Sequence, residues 1–321
     1  MNQLTVRTET AVRLDDSLNS LIDRFLLSQD IKENSKKTYR KGLKQFIGWI
    51  TREGIQNPTR ETILAYKGYL EAQGLSSLTL SSYLVAVRKF FEWAEGMKFY
   101  PNIARGIKGG KRAKGFRKDP LTVTQVKEFL GAIDRSTLQG KRDFALLNLL
   151  IRTGIRTIEA VRADIGDIRQ EGGEAVLWIQ GKGRDAKDEF VLLTEETLKP
   201  IRDYLQARGK AEDQDPLFTS LSDRNKNQRL TTRSIRRIVK KLLKGIGLDS
   251  GRLTAHSLRH TAITLSLQGG ATIQEAQALG RHANINTTLI YAHNINRIAQ
   301  APERKIDAVL QDKSSKREEE L

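Results

Sequence analysis

Residues 105–118 read RGIKGGKRAKGFRK: seven of the fourteen are Lys or Arg, four are Gly and none is acidic. A segment this charged and this poor in bulky side chains cannot bury a core, so it divides the chain. A length of 321 residues suits two folding units. The sequence therefore predicts an N-terminal helical domain over 1–104, a flexible basic linker over 105–119, a second domain over 120–298 and a C-terminal segment over 299–321.

The first part is helical by its spacing. Tyr39, Leu43, Phe46, Ile47 and Ile50 fall on one helix face, with Ser35 as the expected N-cap. Tyr83, Val87, Phe90, Phe91 and Ala94 repeat that spacing. Shorter helices are expected over 18–29 and 60–73, punctuated by Gly54, Pro58 and Gly74. These aromatics are read as core. Beyond Pro120 the pattern is helical with one β insert. A strand or turn at 121–124 leads into a capped helix, and a buried helix through Phe144, Leu147, Leu150 and Ile151 stops near Gly154. The apolar runs 175–180 and 189–193 flank Gly181-Lys182-Gly183-Arg184-Asp185, which is a β-hairpin pattern. A further helix carries Ile235, Val239, Leu242 and Leu243, with basic residues on its other faces.

The net charge of +17 asks for a polyanionic partner, and nucleic acid is the first candidate. Residues 1–118 carry 22 Lys and Arg against 11 Asp and Glu, so the N-terminal third is the more basic part. Lys108, Lys111, Arg112, Lys114, Arg117 and Lys118 are the candidates for a tether that crosses a DNA backbone. No stretch of eighteen apolar residues or secretory leader is evident, so no membrane partner is expected. With no cysteine there is no disulfide, thiolate metal site or cysteine nucleophile, which suits the cytoplasm.

The four histidines all lie between 256 and 293, and they share that stretch with Arg259 and Tyr291. A phosphodiester spreads its negative charge over more oxygens on the way to the transition state. Two guanidiniums, Arg156 and Arg259, can clamp those oxygens and stay charged at neutral pH. A tyrosine hydroxyl needs a base or a positive field to attack. His256 is the candidate base and His282 a second donor to the phosphate. The leaving oxygen needs a proton, and Lys182 on the hairpin can supply it. Each residue alone has a plainer reading: a surface arginine, a half-buried tyrosine, a structural His260, a surface His293. His256 and His260 at i and i+4 lack the glutamate of a zinc-protease box. No acidic metal cluster is evident, and neither a metal nor a cofactor is expected.

In order and spacing these residues resemble the tyrosine recombinases of the phage integrase family, Xer-like proteins included, over nearly the whole chain. The motifs are Gly154-Ile155-Arg156 with Glu159, Gly181-Lys182-Gly183, His256-Ser257-Leu258-Arg259, and Leu279-Gly280 with His282, Thr287-Thr288 and Tyr291. The resemblance implies that Tyr291 is the nucleophile, that Arg156 and Arg259 bind phosphate, that Lys182 is the general acid, that His256 and His282 assist, and that Glu159 is a buried support. It implies a mainly α fold with a small β-sheet: an N-terminal helical, SAM-like core-binding domain and a mixed α/β catalytic domain. It further implies a clamp on duplex DNA at a specific core site, a homotetramer on two sites, 3′-phosphotyrosyl and Holliday-junction intermediates, and a nucleoid-associated protein of the cytoplasm. The segment with Ile306, Val309 and Leu310 would dock into a neighbouring protomer. An accessory or partner recombinase stays open, as does a mobile-element source. Only a short stretch precedes the first helix, which favours a recombinase that needs no arm-binding domain.

Two positions depart from the family pattern. Arg281 stands where glycine usually precedes the second histidine, and Lys187 follows the hairpin lysine later than usual, which makes it a reserve acid. Two rival readings stay open at this point: a type IB topoisomerase that relaxes supercoils, and a catalytically silent DNA-binding regulator.

Overall fold

The structure, a computed structural model, describes residues 14–110, 118–181, 183–299 and 301–311. Its contacts divide the chain into two compact units, Met1–Lys114 and Gly115–Leu321.

Among the described residues, unit 1 is a set of four helices: α1 (Leu14–Ser28), α2 (Glu33–Arg52), α3 (Arg60–Ala72) and α4 (Ser77–Gly96). Their apolar stripes meet in one core with Phe25, Phe46, Trp49, Tyr66, Val87 and Phe91, all buried. The rings pack edge to face, Phe46 against Tyr66 at 4.9 Å and against Phe91 at 6.1 Å. The aromatics expected in the core are there, with Tyr39, Tyr83 and Phe90 packed against it. Ser35 is not the N-cap. The N-cap is three residues earlier, at Lys32, and the Ser35 N–H already donates to the Lys32 carbonyl at 2.8 Å. Glu33 in the first turn suits the positive end of the helix.

The linker expectation needs correction for its first residues. Ile107 is 3% exposed and belongs to the unit 1 core. Arg60 donates to the Arg105 carbonyl at 2.6 Å, and Arg88 to that of Ile107 at 3.3 Å. Composition missed this because one isoleucine and two backbone carbonyls suffice to pin six residues, and charge averaging hides them.

Unit 2 is mainly α with one small sheet. It runs α5 (Val123–Gly131), α6 (Leu138–Thr153), α7 (Thr157–Arg162), β1 (Ile168–Glu171), β2 (Glu174–Ile179), β3 (Glu189–Leu192), α8 (Glu195–Arg208), α9 (Thr232–Gly245), α10 (Ala255–Gln268), α11 (Ile273–Gly280), α12 (Asn286–Ala299) and α13 (Pro302–Gln311). Thr122 and Gln125 form a capping box, so the segment before α5 is a cap and not a strand. Helix α6 lies at the centre, with Leu146, Leu147, Leu149 and Leu150 buried on successive faces. A helix apolar all round is one surrounded by others, and α8 and α10 pack against it. The antiparallel sheet has the order β1-β2-β3, with Trp178 opposite Phe190 across the expected hairpin. Strand β1 is absent from the sequence reading because its four residues show no apolar alternation. The overlooked signal was Gly172-Gly173, whose φ of 59° and 86° makes the tight β1–β2 turn.

Candidate active site

Helix α6 ends on Gly154, whose φ of 62° lies in the left-handed region that glycine favours. The chain then turns so that Arg156 becomes the N-cap of α7. One carboxylate fixes this turn. Glu159 is fully buried; it accepts the Arg156 N–H at 2.7 Å and the Arg156 Nη1 at 2.8 Å. A buried charge survives only when paired; Glu159 is paired with Arg156, which keeps a partly exposed edge.

Helix α10 supplies the next three groups. Its first two turns are buried on most faces, through Ser257, Leu258, Arg259 and His260. Thr254 and Ser257 form its capping box, and Thr261 accepts the Leu121 N–H at 2.8 Å. Arg259 is 4% exposed; it donates through Nη1 to the Gly154 carbonyl at 2.6 Å and through Nη2 to that of Gly280. Burial, then the charges of Arg156 and Arg281, lowers its pKa to about 10, which leaves it protonated at neutral pH. His256 keeps an exposed edge, yet desolvation by its surroundings, then Arg259, Arg156 and Lys118, depresses its basicity.

Helix α11 closes with Arg281 in the left-handed region, at φ 45° and ψ 52°. His282 follows, its Nδ1 2.9 Å from the Thr288 hydroxyl, while Gln277 donates to its carbonyl at 2.9 Å. Tyr291 on α12 is 4% exposed and packs with Ile263 and Ala276. Its ring stacks near His282 at 6.1 Å. Its hydroxyl lies 2.7 Å from Nδ1 of His260. Burial lifts the phenol to about 12, against the pull of Arg259, and lowers His260 to about 4. With both groups neutral, the phenol donates and the imidazole accepts.

The structure thus gathers Arg156, Glu159, His256, Arg259, His282 and Tyr291 from four helices of one unit. His260, read as structural, is the histidine that touches the tyrosine. The signal that could have found it is its place next to Arg259, one turn after His256, whose ring meets its own edge-on at 4.7 Å. Lys182 lies outside the described residues, as do Lys111, Arg112, Lys114, Arg117, the side chain of His293 and the charged tail from 312 on. The residue before Lys182 is tied to the site, since Arg162 of α7 donates to the Gly181 carbonyl at 3.3 Å. The Lys187 ammonium is paired in this structure, with Asp164 at 2.7 Å and also with Asp167. Lys108 is exposed in unit 1, and Lys118 in unit 2 donates to the Gly251 carbonyl at 2.7 Å. Among the described residues no helix is long and apolar enough to cross a membrane.

Residues 120–297 match the phage integrase family, and residues 19–97 match the phage integrase N-terminal SAM-like domain. A tyrosine recombinase of Synechococcus elongatus is 30% identical over 282 residues, which cover 84% of this chain and 87% of that protein. The tyrosine recombinase XerC of Corynebacterium glutamicum is 31% identical over 296 residues, covering 87% and 89%. Among solved structures, the XerH site-specific recombinase in a post-cleavage complex with a palindromic difH substrate superposes with a TM-score of 0.69 at 23% identity, over 90% of this chain and 84% of that one. A lambda integrase dimer bound to a COC′ core site gives 0.66 at 18% identity, over 85% and 76%. The chain belongs to the phage integrase family and is a site-specific tyrosine recombinase. Its fold is the one expected: a SAM-like helical domain followed by a mainly α catalytic domain with a small sheet.

Proposed function

We propose that Tyr291 is the nucleophile that opens one DNA strand at a specific core site. Its oxygen forms a bond to phosphorus as the bond to the 5′-oxygen breaks, which leaves a 3′-phosphotyrosine and a free 5′-hydroxyl. Arg156 and Arg259 hold the nonbridging oxygens as charge builds on them. His260, whose Nδ1 lies 2.7 Å from the Tyr291 hydroxyl, takes the phenolic proton in place of His256, the base expected from the sequence. His256 assists from one turn away, His282 donates to the phosphate, Lys182 protonates the leaving oxygen and Glu159 keeps Arg156 in place. The 5′-hydroxyl of a second strand then reverses the step, and two such exchanges pass through a Holliday junction.

The observation that carries this reading is the gathering, in one unit, of Arg156 on the fully buried Glu159, Arg259 on the Gly154 and Gly280 carbonyls, and the Tyr291 hydroxyl on His260, the residue next to Arg259. The XerH structure is bound to a palindromic difH substrate and the lambda integrase dimer to a COC′ core site, and a duplex DNA partner suits the net charge of +17 here. In this reading residues 1–104 and 120–298 are the core-binding and catalytic domains. The basic residues between them, Lys108 to Lys118, meet the phosphate backbone. Four copies act on two sites, and helix α13 docks into a neighbour; its Ile306, Val309 and Leu310 are 56%, 75% and 79% exposed. The protein would work on the nucleoid in the cytoplasm, and a transposon integrase among the solved neighbours fits a mobile-element role.

The test uses nicked duplexes that carry the sequence flanking the gene, without metal, with the wild-type chain and Tyr291→Phe. A 3′-linked adduct in the wild type alone is expected. An adduct with Tyr291→Phe would overturn the assignment of the nucleophile. Removal of 299–321 should abolish cooperative assembly and leave monomer binding; unchanged tetramers on DNA would refute that part.

A further inference from the structure

Arg281 occupies a position where glycine is expected, in a backbone conformation that side chains with a Cβ rarely adopt. Something must hold it there. Its side chain is 9% exposed. Nη2 donates to Oε2 of Glu159 at 2.8 Å and lies 3.5 Å from the Gly154 carbonyl. Nη1 donates to the Leu279 carbonyl at 3.2 Å, and Nε stands 3.8 Å from a Glu189 carboxylate oxygen. The guanidinium thus turns into the protein, onto the carboxylate that Arg156 also uses.

We propose that Arg281 is a positioning residue for the phosphate clamp, acting through Glu159. Two consequences follow from the geometry. The first is mechanical. Arg281 directly precedes His282, and Glu159 caps the turn that carries Arg156, so one ion pair ties the second histidine to the first arginine. Arg259 bridges the same two turns through the Gly154 and Gly280 carbonyls, so the two links brace each other. The second is electrostatic. A carboxylate paired with Arg156 alone would cancel the charge that Arg156 offers a phosphate. Shared between Arg156 and Arg281, it leaves one positive charge in surplus beside a fully buried carboxylate, where water screens less than at the surface. A residue chosen only for its backbone would be glycine, and would supply neither effect.

This inference rests on the recombinase reading above, and the experiment separates the two. The full chain would be compared as wild type, Arg281→Gly and Arg281→Lys on nicked duplexes. One set carries the normal phosphodiester at the scissile position, the other an uncharged methylphosphonate, and the rate of covalent adduct is read at saturating DNA. Arg281→Gly suits the backbone and leaves Glu159 paired with Arg156. It should slow adduct formation on the phosphodiester by about 10- to 100-fold, as loss of a supporting partner does elsewhere. Arg281→Lys should recover most of that rate. On the methylphosphonate, which is neutral in the ground state and carries one negative charge fewer in the transition state, the gap between wild type and Arg281→Gly should be clearly smaller than on the phosphodiester. An unchanged rate in Arg281→Gly would overturn the inference while the recombinase reading stands. So would equal losses on both substrates with lysine no better than glycine, since that marks a merely structural residue. No adduct in the wild type on either duplex would overturn the recombinase reading itself, and this inference with it.

Discussion

The two units bury different chemistry with the same kind of helix. In unit 1 the inward stripe of α2 is Leu43, Phe46, Trp49 and Ile50, and the core it builds is aromatic and aliphatic. In unit 2 the inward faces of α10 hold Arg259, His260 and Thr261 beside Leu258 and Ile263. A buried guanidinium or imidazole costs stability unless each polar atom finds a partner, and here the partners are the carbonyls of Gly154 and Gly280 and the hydroxyl of Tyr291. Unit 1 spends its burial on holding together. Unit 2 gives part of its interior to arginine and histidine, the groups proposed above to act on a phosphodiester, and it places them near helix ends and caps where the backbone can be aimed.

This contrast makes opposite forecasts for two truncations. Phe46→Ala removes a ring packed against Trp49, Tyr66 and Phe91. It should cost about 3–5 kcal/mol of stability, read as a shift of the urea midpoint for the full chain. The adduct rate at saturating DNA should stay close to wild type under conditions where the variant is folded. Arg259→Ala should do the reverse, lowering the adduct rate about 10²- to 10³-fold, the loss typical of one donor to developing charge. If Phe46→Ala slowed the chemistry as much as Arg259→Ala does, the division of labour between the units would be wrong.

How far each unit could be read from the sequence follows the same line. Unit 1 was legible because 3.6-residue spacing reports a stripe, and α2 and α4 are stripes. The miss at Ser35 is a boundary error of three residues, the N-cap being Lys32. The pinned residues 105–110 escaped because the contact lies in Ile107 and in backbone carbonyls, which composition does not weigh. Unit 2 was legible by motif and not by period. Helix α10 is buried on most of its faces near the start, so no stripe shows, yet the spacing of His256 and Arg259 marked a candidate site. What motif reading could not give was which histidine meets the tyrosine. That depends on how α12 returns against α10, thirty-one residues later, and a one-turn difference between His256 and His260 is invisible in a spacing rule. Arg281 was noticed only as a departure. Its partner Glu159 lies far away in sequence, so the ion pair became visible only once α7 and α11 were side by side.

The smallest expected effect tests the comparison through pH. All four histidines lie in unit 2, between 256 and 293. His260 is 8% exposed; burial first, then His256, Arg259 and His282, lowers its pKa to about 4, with Asp119 pulling the other way. An unfolded histidine titrates near 6.5. Above that value neither state binds the proton. Below it the unfolded chain takes up a proton that the native His260 refuses, so stability is lost as the pH falls from 6.5 toward 4. Between pH 7 and pH 5 this one residue should cost about 2 kcal/mol. His282 is shifted in the same direction, to about 4, chiefly by burial, but it is half-buried and should add less. Hydrogen exchange should locate the loss: amides of α10 should exchange faster at pH 5 than at pH 7 after correction for the intrinsic rate, while those of α2 hold their protection. His260→Gln, which cannot take up the proton in either state, should flatten most of the pH dependence of the urea midpoint. An equal loss of protection in α2 and α10, or a pH dependence untouched by His260→Gln, would mean that the acid sensitivity has another source and that the polar interior of unit 2 is not where the chain gives way.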